Sequence, residues 1–203
     1  MNANSLIILD FETTGLSPDL GDRAIEVGAV KLEKGKIVDQ FQALMNPGGP
    51  VSAFIEEFTG ITNNMLSKAD TCEEVMAKFA DFIQDQNLVA HNASFDKRFL
   101  DSEMQQISSN YGGQFACSLL VSRRLYQSAP NHKLDTLISY KGIASNGSYH
   151  RALYDAQMTA KLWLTMIDDI KQQTGIDEVP FSMVQKLTKS TKANVNKFLA
   201  SLS

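Results

Sequence analysis

The stretch Leu6-Ile-Ile-Leu-Asp10-Phe-Glu12-Thr-Thr-Gly15 decides the fold, because it is a short apolar run that ends in two acids. Such a continuous, partly β-branched run predicts a buried strand, which Thr13 to Gly15 closes. Side chains two positions apart on a strand point to the same face, so Asp10 and Glu12 should lie side by side. Two carboxylates at a core boundary repel each other unless a cation joins them, and hard cations such as Mg²⁺ or Mn²⁺ prefer carboxylate oxygen.

The segments that follow predict a hairpin and then a succession of helices. Ile25 to Leu32 and Lys36 to Leu44 have the pattern of two strands joined by a tight turn. Thr71 is placed as the N-cap of the next helix, and Asn87 to Ala90 is a short buried strand. Strands early and helices late indicate an α/β domain with a mixed sheet. Ser145-Asn-Gly-Ser148 predicts a loop, and the remaining helices are predicted at Phe95 to Ile107, Ser118 to Tyr126, Leu134 to Tyr140, Arg151 to Lys171, Phe181 to Leu187 and Ala193 to Leu202.

Composition predicts one folded domain, or one domain with a short appendage. Of the 203 residues, 43% are apolar and 21% are charged, which is an ordinary globular balance. No apolar run approaches the roughly 18 to 20 residues that cross a bilayer, and Met1 to Ser5 lack the basic start of a secretory signal. The distant Cys72 and Cys117 argue against a disulfide framework or a zinc site. We therefore expect a cytoplasmic protein that does not contact a membrane.

The charge of the chain is unevenly distributed. Residues 1–96 carry 15 acids and 6 bases, whereas residues 97–203 carry 13 bases and 8 acids. A protein that holds nucleic acid through charge alone is usually basic overall, and this chain has a net charge of −4. If it handles nucleic acid, a divalent metal is the obvious link between its acids and the phosphates.

Three further residues stand at the ends of predicted elements, and each has an ordinary explanation by itself. Asp96 follows a strand and opens a helix, where an acid complements the helix dipole. Asp155 lies one turn inside the longest predicted helix, where an acid is often exposed, and His150 would be a solvated loop residue. Asp10 and Glu12 would likewise cap a turn in solvent. Only the combination of these residues points to a function.

Together these residues resemble three motifs of the DEDDh 3′–5′ exonucleases, in order and at ordinary spacing within residues 5 to 170. The motifs are Asp10-Phe-Glu12-Thr-Thr-Gly15, His91-Asn-Ala-Ser-Phe-Asp96 and His150-Arg-Ala-Leu-Tyr-Asp155-Ala. The likeness is greatest to the proofreading epsilon subunit of bacterial DNA polymerase III and its free-standing relatives. Phe58-Thr-Gly-Ile-Thr62 also resembles a loop of this family.

The resemblance implies a ribonuclease H-like three-layer α/β fold, with a central mixed five-stranded sheet flanked by helices. This exonuclease domain would span residues 1–174, and residues 175–203 would form a helical C-terminal extension of unknown role. For the extension, three possibilities stay open: it packs on the domain, contacts nucleic acid or binds a partner.

The resemblance also implies metal-dependent hydrolysis from the 3′ end of DNA that releases nucleoside monophosphates, in proofreading or repair. Asp10, Glu12, Asp96 and Asp155 would hold two divalent cations, Mg²⁺ or Mn²⁺. Two cations about 3.5 to 4 Å apart can serve the attacking and the leaving oxygen together. His150 would accept the proton of the attacking water, a role that suits an imidazole.

By the same resemblance, the terminal nucleotide would occupy a pocket near the first motif. Leu16, Ile61 and Phe95 would stack on bases or wedge between them, although core packing explains Ile61 and Phe95 equally well. His91 supports the site or only caps its turn. The implied partners are nucleic acid with a free 3′ end, DNA preferred, and a DNA polymerase acting in trans. The residues expected to contact substrate are Thr13, Gly15, Leu16, Ile61, His91 and Phe95.

Alternative functions stay open from the sequence. An RNA-trimming 3′–5′ exoribonuclease similar to oligoribonuclease or ribonuclease T would use the same acids. A non-catalytic module that binds nucleic acid or a polymerase would not need the complete set of acids together with His150. A ribonuclease H-type endonuclease would share the fold and the carboxylates, but it would not need the spacing between His150 and Asp155.

Overall fold

The structure is a computed structural model that describes residues 1–146 and 150–201. The loop predicted at Ser145 to Ser148 and the predicted helix end at Leu202 therefore fall partly outside the described residues.

The first predicted strand lies at the centre of a five-stranded sheet, whose strand order is β3-β2-β1-β4-β5. The β1–β2 and β2–β3 pairs are antiparallel, whereas β1–β4 and β4–β5 are parallel. Lys34 and Gly35 connect β2 to β3 with positive φ angles of 51° and 77°, as a tight two-residue hairpin turn requires. The predicted mixed sheet is confirmed. Its strands are β1 (Leu6–Thr13), β2 (Ala24–Glu33), β3 (Lys36–Leu44), β4 (Leu88–Ala90) and β5 (Phe115–Cys117).

The predicted helices are present, together with shorter ones that the sequence pattern does not reveal. At the predicted cap, the Thr71 hydroxyl accepts a hydrogen bond from the Glu74 N–H at 3.2 Å, and the Glu74 carboxylate accepts one from the Thr71 N–H at 2.9 Å. Among the described residues, none of the helices has the length and the apolar character of a membrane span. The α-helices are α1 (Ala53–Thr59), α2 (Asn63–Leu66), α3 (Cys72–Ile83), α4 (Ser94–Gln106), α5 (Ser118–Leu125), α6 (Leu134–Tyr140), α7 (Ala152–Thr174), α8 (Phe181–Lys189) and α9 (Val195–Ala200), and 3₁₀ turns lie at Pro18–Leu20 and Lys192–Asn194.

Alternate side chains of β1 enter two separate cores, one on each face of the sheet. Leu6 and Ile8 pack with residues of α5, α7, α8 and α9. Ile7, Leu9 and Phe11 pack with residues of α3 and α4 on the opposite face. Asp10 and Glu12 continue the row of Leu6 and Ile8 and therefore point to the face that α7 covers.

The C-terminal extension packs on the domain and shares its core. Val184 and Leu187 of α8 are fully buried in the same cluster as Trp163 of α7. The Trp163 indole N–H donates to the Ala3 carbonyl at 2.7 Å, and the Ala3 N–H donates to the Val179 carbonyl at 2.8 Å. The extension, the N-terminal segment and α7 are therefore held to one another, and a domain boundary at residue 174 stays a prediction.

Candidate metal and active site

Three carboxylates meet where the end of β1 approaches the start of α7. Asp10 and Glu12 lie on the same face of β1, as the strand alternation predicts, and Asp155 lies in the first turn of α7. One carboxylate oxygen from each residue lies within 4.8 Å of the other two. The structure therefore brings together acids that are more than 140 positions apart in sequence, in an arrangement that can hold a metal ion.

Helix α7 reaches these acids because the sheet has a glycine where the helix crosses it. Gly28 on β2 is paired with Asp10 across the strand ladder. A Cβ atom at Gly28 would lie 2.0 Å from the backbone nitrogen of Leu153 and 2.2 Å from the carbonyl carbon of Ala152. Only a residue without a side chain allows the first turn of α7 to lie this close to the sheet.

Glu26 on β2 holds the N-terminus of α7 through hydrogen bonds. It is fully buried, and its carboxylate accepts hydrogen bonds from the Arg151 guanidinium at 2.9 and 3.2 Å and from the Ala152 N–H at 3.0 Å. The Gln42 side-chain amide donates to it as well, at 2.9 Å. A carboxylate at a helix N-terminus also complements the helix dipole. Glu26 thereby positions the helical turn that carries Asp155.

One oxygen of Asp155 is held by the backbone, and the other accepts no hydrogen bond from the part of the chain that the structure describes. The His150 N–H donates to Asp155 Oδ2 at 2.9 Å, with the His150 backbone at a φ of 68°. Asp155 Oδ1 is buried and, among the described residues, accepts no hydrogen bond. Because a buried carboxylate oxygen without a partner is costly, the donor set of Asp10, Glu12 and Asp155 fits a divalent cation.

Burial raises the pKa values of all three carboxyl groups, and the charges of neighbouring carboxylates add to the shift. Burial, followed by the charges of Asp155, Glu26 and Asp96, raises the pKa of Glu12 to about 8. The pKa of Asp10 is raised well above its usual range by burial and by the charges of Asp96, Glu12 and Asp155. For Asp155, burial raises the pKa to about 6, although the His150 N–H opposes the shift. A bound cation would favour the ionised forms instead.

Asp96 lies at the margin of this group. It is buried in the first turn of α4, and its Oδ1 accepts a hydrogen bond from the Phe11 N–H at 3.2 Å. Burial raises its pKa to about 7, and its charge is the strongest of the charges that raise the pKa of Asp10. Asp96 is therefore electrostatically part of the site, although it does not belong to the group of three oxygens within 4.8 Å.

Two cavities adjoin the carboxylates, and Phe58 of α1 lines both. A polar cavity of about 500 Å³ contains Asp10, Asp155 and His150 in its wall, and Lys133 and His91 lie in the same wall. A more apolar cavity of about 530 Å³ contains Glu12 and the predicted substrate residues Thr13, Gly15, Leu16 and Phe95, as well as Phe54.

Comparison with known proteins identifies the class of this site. The sequence profile of a family described as exonuclease, of the ribonuclease T type, matches residues 7–163. The chain belongs to this exonuclease family. The predicted resemblance is confirmed, and the acids of the site lie within the matched range.

The curated relatives of this exonuclease include much longer polymerases. It is 38% identical over 191 residues to the PolC-type DNA polymerase III of Caldanaerobacter subterraneus subsp. tengcongensis, covering 94% of this chain and 13% of that protein. It is 39% identical over 175 residues to the PolC-type DNA polymerase III of Bacillus subtilis, covering 85% of this chain and 12% of that protein. The exonuclease thus spans about one eighth of the length of these relatives.

Solved structures confirm the predicted ribonuclease H-like three-layer fold. The nuclease domain of 3′hExo, a DEDDh family member bound to rAMP, superposes with a TM-score of 0.68 at 25% identity, covering 82% of this exonuclease and 92% of that chain. Exonuclease X, in complex with 5′-overhanging duplex DNA, superposes with a TM-score of 0.67 at 24% identity, covering 96% of this chain and 99% of that one.

The first motif of the exonuclease forms a tight loop at the mouth of the apolar cavity. The Thr13 hydroxyl donates to the Gly15 carbonyl at 2.6 Å, and a Cβ atom at Gly15 would lie 2.4 Å from the Asp22 carboxylate. Asp22 also accepts a hydrogen bond from the Ser17 N–H at 2.9 Å. Leu16 is left 78% exposed at the tip of the loop, available to a ligand.

His91 is a half-buried neutral group in the wall of the polar cavity. Its Nε2–H donates to the His132 carbonyl at 2.9 Å, which leaves Nδ1 to accept from the Ser118 hydroxyl at 2.8 Å. Burial lowers the pKa of His91 to about 4. The residue therefore supports the cavity wall as an uncharged hydrogen-bonding group.

Ile61 is the predicted substrate residue that the structure does not bring to the site. It is fully buried with Ile25, Val51 and Leu66 in a small separate core, and it lines neither of the two cavities. Here packing beneath α1 and α2 accounts for the apolar side chain.

Sequence reasoning missed the contact partner of His150. The ring of Phe58 lies 4.1 Å from the His150 ring, centroid to centroid, and Phe54 stacks on Phe58 at 5.8 Å. Phe54 and Phe58 are four positions apart and are 69% and 48% exposed. The helical spacing of two exposed aromatic residues beside a recognised motif was the available signal.

Proposed function

We propose that this exonuclease hydrolyses phosphodiester bonds from the 3′ end of DNA, with two divalent cations, Mg²⁺ or Mn²⁺, and releases nucleoside monophosphates. The observation that carries this proposal is the convergence of Asp10, Glu12 and Asp155, with one Asp155 oxygen that has no hydrogen-bond partner within residues 1–146 and 150–201. The preference for DNA follows from the 36–39% identity to PolC-type DNA polymerase III.

Asp10, Glu12 and Asp155 would hold the cations, with Asp96 completing the second site. Divalent cations supply charge neutralisation at the phosphate and a more acidic water. The site's own contribution is to keep four carboxylates fixed and close together, so that little reorganisation is needed when phosphate enters.

His150 is the proposed base. It lines the polar cavity together with Asp10 and Asp155, so its ring nitrogen can take the proton of a water that attacks phosphorus. The Phe58 ring packs against the imidazole and restricts its orientations.

The apolar cavity would bind the terminal nucleoside. Leu16 and Phe95 offer apolar surface to the base, which every base can use because each has a π-face. The backbone from Thr13 to Leu16 would lie against the sugar. A pocket beside the carboxylates that holds a chain end favours cleavage from an end, and the 3′ direction is proposed from the likeness to the DEDDh nuclease 3′hExo.

The biological setting we propose is proofreading or repair beside a DNA polymerase in the cytoplasm. The support is that the relatives are DNA polymerases that contain a segment similar to this exonuclease. A polymerase partner in trans would supply the mispaired 3′ end.

RNA is the second candidate substrate, because the 3′hExo nuclease domain, at 25% identity, binds rAMP. Because this identity is lower than the identity to the PolC-type polymerases, RNA ranks behind DNA as the proposed substrate. A direct comparison of the two substrates decides between them.

The test compares 5′-labelled single-stranded DNA, duplex DNA with a mismatched 3′ end, RNA and circular single-stranded DNA, with Mg²⁺, with Mn²⁺ and with chelator. We expect a descending ladder on linear DNA that chelator abolishes. Asp155→Asn should remove the activity, whereas Asp81→Asn, an exposed acid on α3 across the sheet, should retain it. Rapid cutting of circular DNA, or full activity in chelator, would contradict the proposal.

A further inference from the structure

Lys133 lies in the wall of the polar cavity, and two further cations come from segments that are held to one another near that wall. Arg123 on α5 and Lys192 after α8 are both exposed. Among the described residues, none of these three side chains forms an ion pair. The acid on this wall, Asp135, uses one oxygen to accept the Thr136 N–H at 2.6 Å.

His132 connects these cations to the cavity. Its carbonyl accepts the Nε2–H of the cavity residue His91 at 2.9 Å, and its own Nε2 bonds to the Tyr126 carbonyl at 3.2 Å. Burial lowers the pKa of His132, and the positive charges of Arg123 and Lys192 lower it further. Tyr126 directly follows α5, which carries Arg123, and the side-chain amide of the next residue, Gln127, donates to the Lys192 carbonyl. The segments that carry both cations therefore meet beside His132, although they are distant in sequence.

The C-terminal extension supplies one of these cations and is anchored where it does so. The Arg124 guanidinium donates to the Ser190 and Thr188 carbonyls at 2.8 and 2.7 Å, which ties the end of α8 to α5. The Gln127 side-chain amide donates to the Lys192 carbonyl at 3.0 Å. Arg124 is thus held by backbone carbonyls, whereas the neighbouring Arg123 forms no ion pair with any residue that the structure describes.

We propose that Arg123, Lys133 and Lys192 form a cationic strip that binds the phosphates of the single strand on the 5′ side of the terminal nucleotide. The inference rests on the proposed function and extends it to the path of the strand. A chain whose end lies at the carboxylates must leave the site through an opening, and Lys133 of this strip lines the polar cavity. Phosphate contacts from lysine and arginine position a strand without reading its sequence.

The strip predicts a dependence on substrate length that the site alone does not produce. A trimer is too short to extend far along it, whereas a 20-mer can. Removing one cationic side chain that contacts a phosphate of a single strand lowers the slope of log KM against log salt concentration by about 0.7. Removing two such contacts weakens the affinity about 10-fold at low salt.

The test is the double variant Arg123→Ala/Lys192→Ala, compared with Lys171→Ala. Lys171 also forms no ion pair among the described residues, and it lies 16 residues beyond Asp155 on α7, roughly 24 Å away along the helix. We expect the double variant to raise KM about 10-fold for a 20-mer but less than about 3-fold for a trimer, with a smaller salt slope. Lys171→Ala should move neither value. The charge-retaining Arg123→Lys/Lys192→Arg variant should behave as the unmodified chain and exclude a folding defect.

A binding measurement separates this inference from the proposed function. In an Asp155→Asn background, where no hydrolysis is expected, fluorescence anisotropy of a labelled single-stranded 20-mer should show the same 10-fold loss on Arg123→Ala/Lys192→Ala. If the unmodified chain hydrolyses no substrate yet this loss appears, the proposed function fails and the strip stands. If 20-mer and trimer respond equally, or binding does not change, the strip is overturned and an acidic protein partner becomes the better occupant.

Discussion

Glu12 and Glu26 face each other across the β1–β2 ladder and are both buried, yet their surroundings are opposite. Glu26 accepts hydrogen bonds from Arg151, Ala152 and Gln42. Among the described residues, the Glu12 carboxylate accepts none, and its pKa is raised to about 8, first by burial. Two identical side chains on paired strand positions are thus used in different ways.

The difference teaches how structural and functional acids can be separated. A buried carboxylate that is fully hydrogen-bonded holds elements together, and here it holds α7 to the sheet. A buried carboxylate without partners destabilises the fold unless a ligand supplies them. Removing the first kind should cost stability, and removing the second kind should cost activity alone.

The largest expected effect is the loss of activity in Glu12→Gln. Removing one cation ligand should lower turnover by roughly 10⁴-fold, because cation charge stabilisation is worth several kcal/mol. The metal-free variant should be as stable as the unmodified chain or more so, since repulsion with Asp155 is relieved. Turnover and thermal denaturation in chelator measure both effects. Glu33→Gln, an exposed acid at the end of β2, is the matched control, and a strongly destabilised Glu12→Gln would contradict the distinction.

His150 combines a structural role with a proposed catalytic role. Its backbone N–H donates to Asp155, and its ring lines the polar cavity. His150→Ala keeps the N–H and should lower turnover by roughly 10²- to 10⁴-fold, the usual contribution of a positioned base. His150→Asn should lose as much activity, while it tolerates the positive φ better. Cation affinity, measured by titration calorimetry, should change little in either variant. Near-normal turnover would remove His150 from the mechanism.

Glu26→Ala should show the opposite signature to Glu12→Gln. It removes the hydrogen bonds that fix the start of α7, and the freed Arg151, 40% exposed, regains water. We expect a loss of about 2 kcal/mol in the free energy of unfolding, which lowers Tm by about 4 to 8 °C. A double-mutant cycle with Arg151→Met measures the share of the ion pair. Unchanged stability together with lost activity would show that Glu26 belongs to the functional acids instead.

The smallest expected effect is a pH dependence of the stability that a cation provides. The folded metal-free protein keeps protons that the unfolded chain releases, because the pKa of Glu12 is about 8 when folded and 4.5 in the unfolded chain. Stability should therefore fall as pH rises from about 4.5 to about 8. Mg²⁺ competes with those protons, so saturating Mg²⁺ should raise Tm by about 4 °C more at pH 8 than at pH 6. In Glu12→Gln this increment should shrink, and an equal increment at both pH values would contradict the repulsion among the acids.

Much of the fold and the centre of the site could be predicted from the sequence. The apolar run Leu6 to Leu9 fixes a central strand, and the two-residue alternation places Asp10 and Glu12 on one face. The capping pattern at Thr71 and the hairpin at Glu33 to Gly35 are local signals, and both are confirmed. His150 and Asp155 could be assigned because a third motif stands in register with the other two.

What escaped prediction depends on contacts between distant segments. Glu26 is a single acid inside an apolar strand, and its burial is explained by its contact with Arg151, 125 positions away in sequence. Strand β5 has three residues, which are too few to show the two-residue alternation of apolar and polar side chains that indicates a strand. Ile61 follows a recognised motif, but whether an apolar side chain faces a ligand or a core depends on the helices packed above it.

Helix α7 is 23 residues long, roughly 34 Å, so a change in packing along it can shift the residues at its N-terminal end. Its N-terminal end carries Asp155 and packs directly against the sheet at Gly28. Trp163, near its middle, donates a hydrogen bond to the Ala3 carbonyl. A displacement of about 1 Å in a catalytic group can lower a rate 10²-fold. Packing around Trp163, and beyond it the buried face of α8, is therefore part of what aligns the proposed catalytic residues, although neither Trp163 nor α8 lines the two cavities beside the carboxylates.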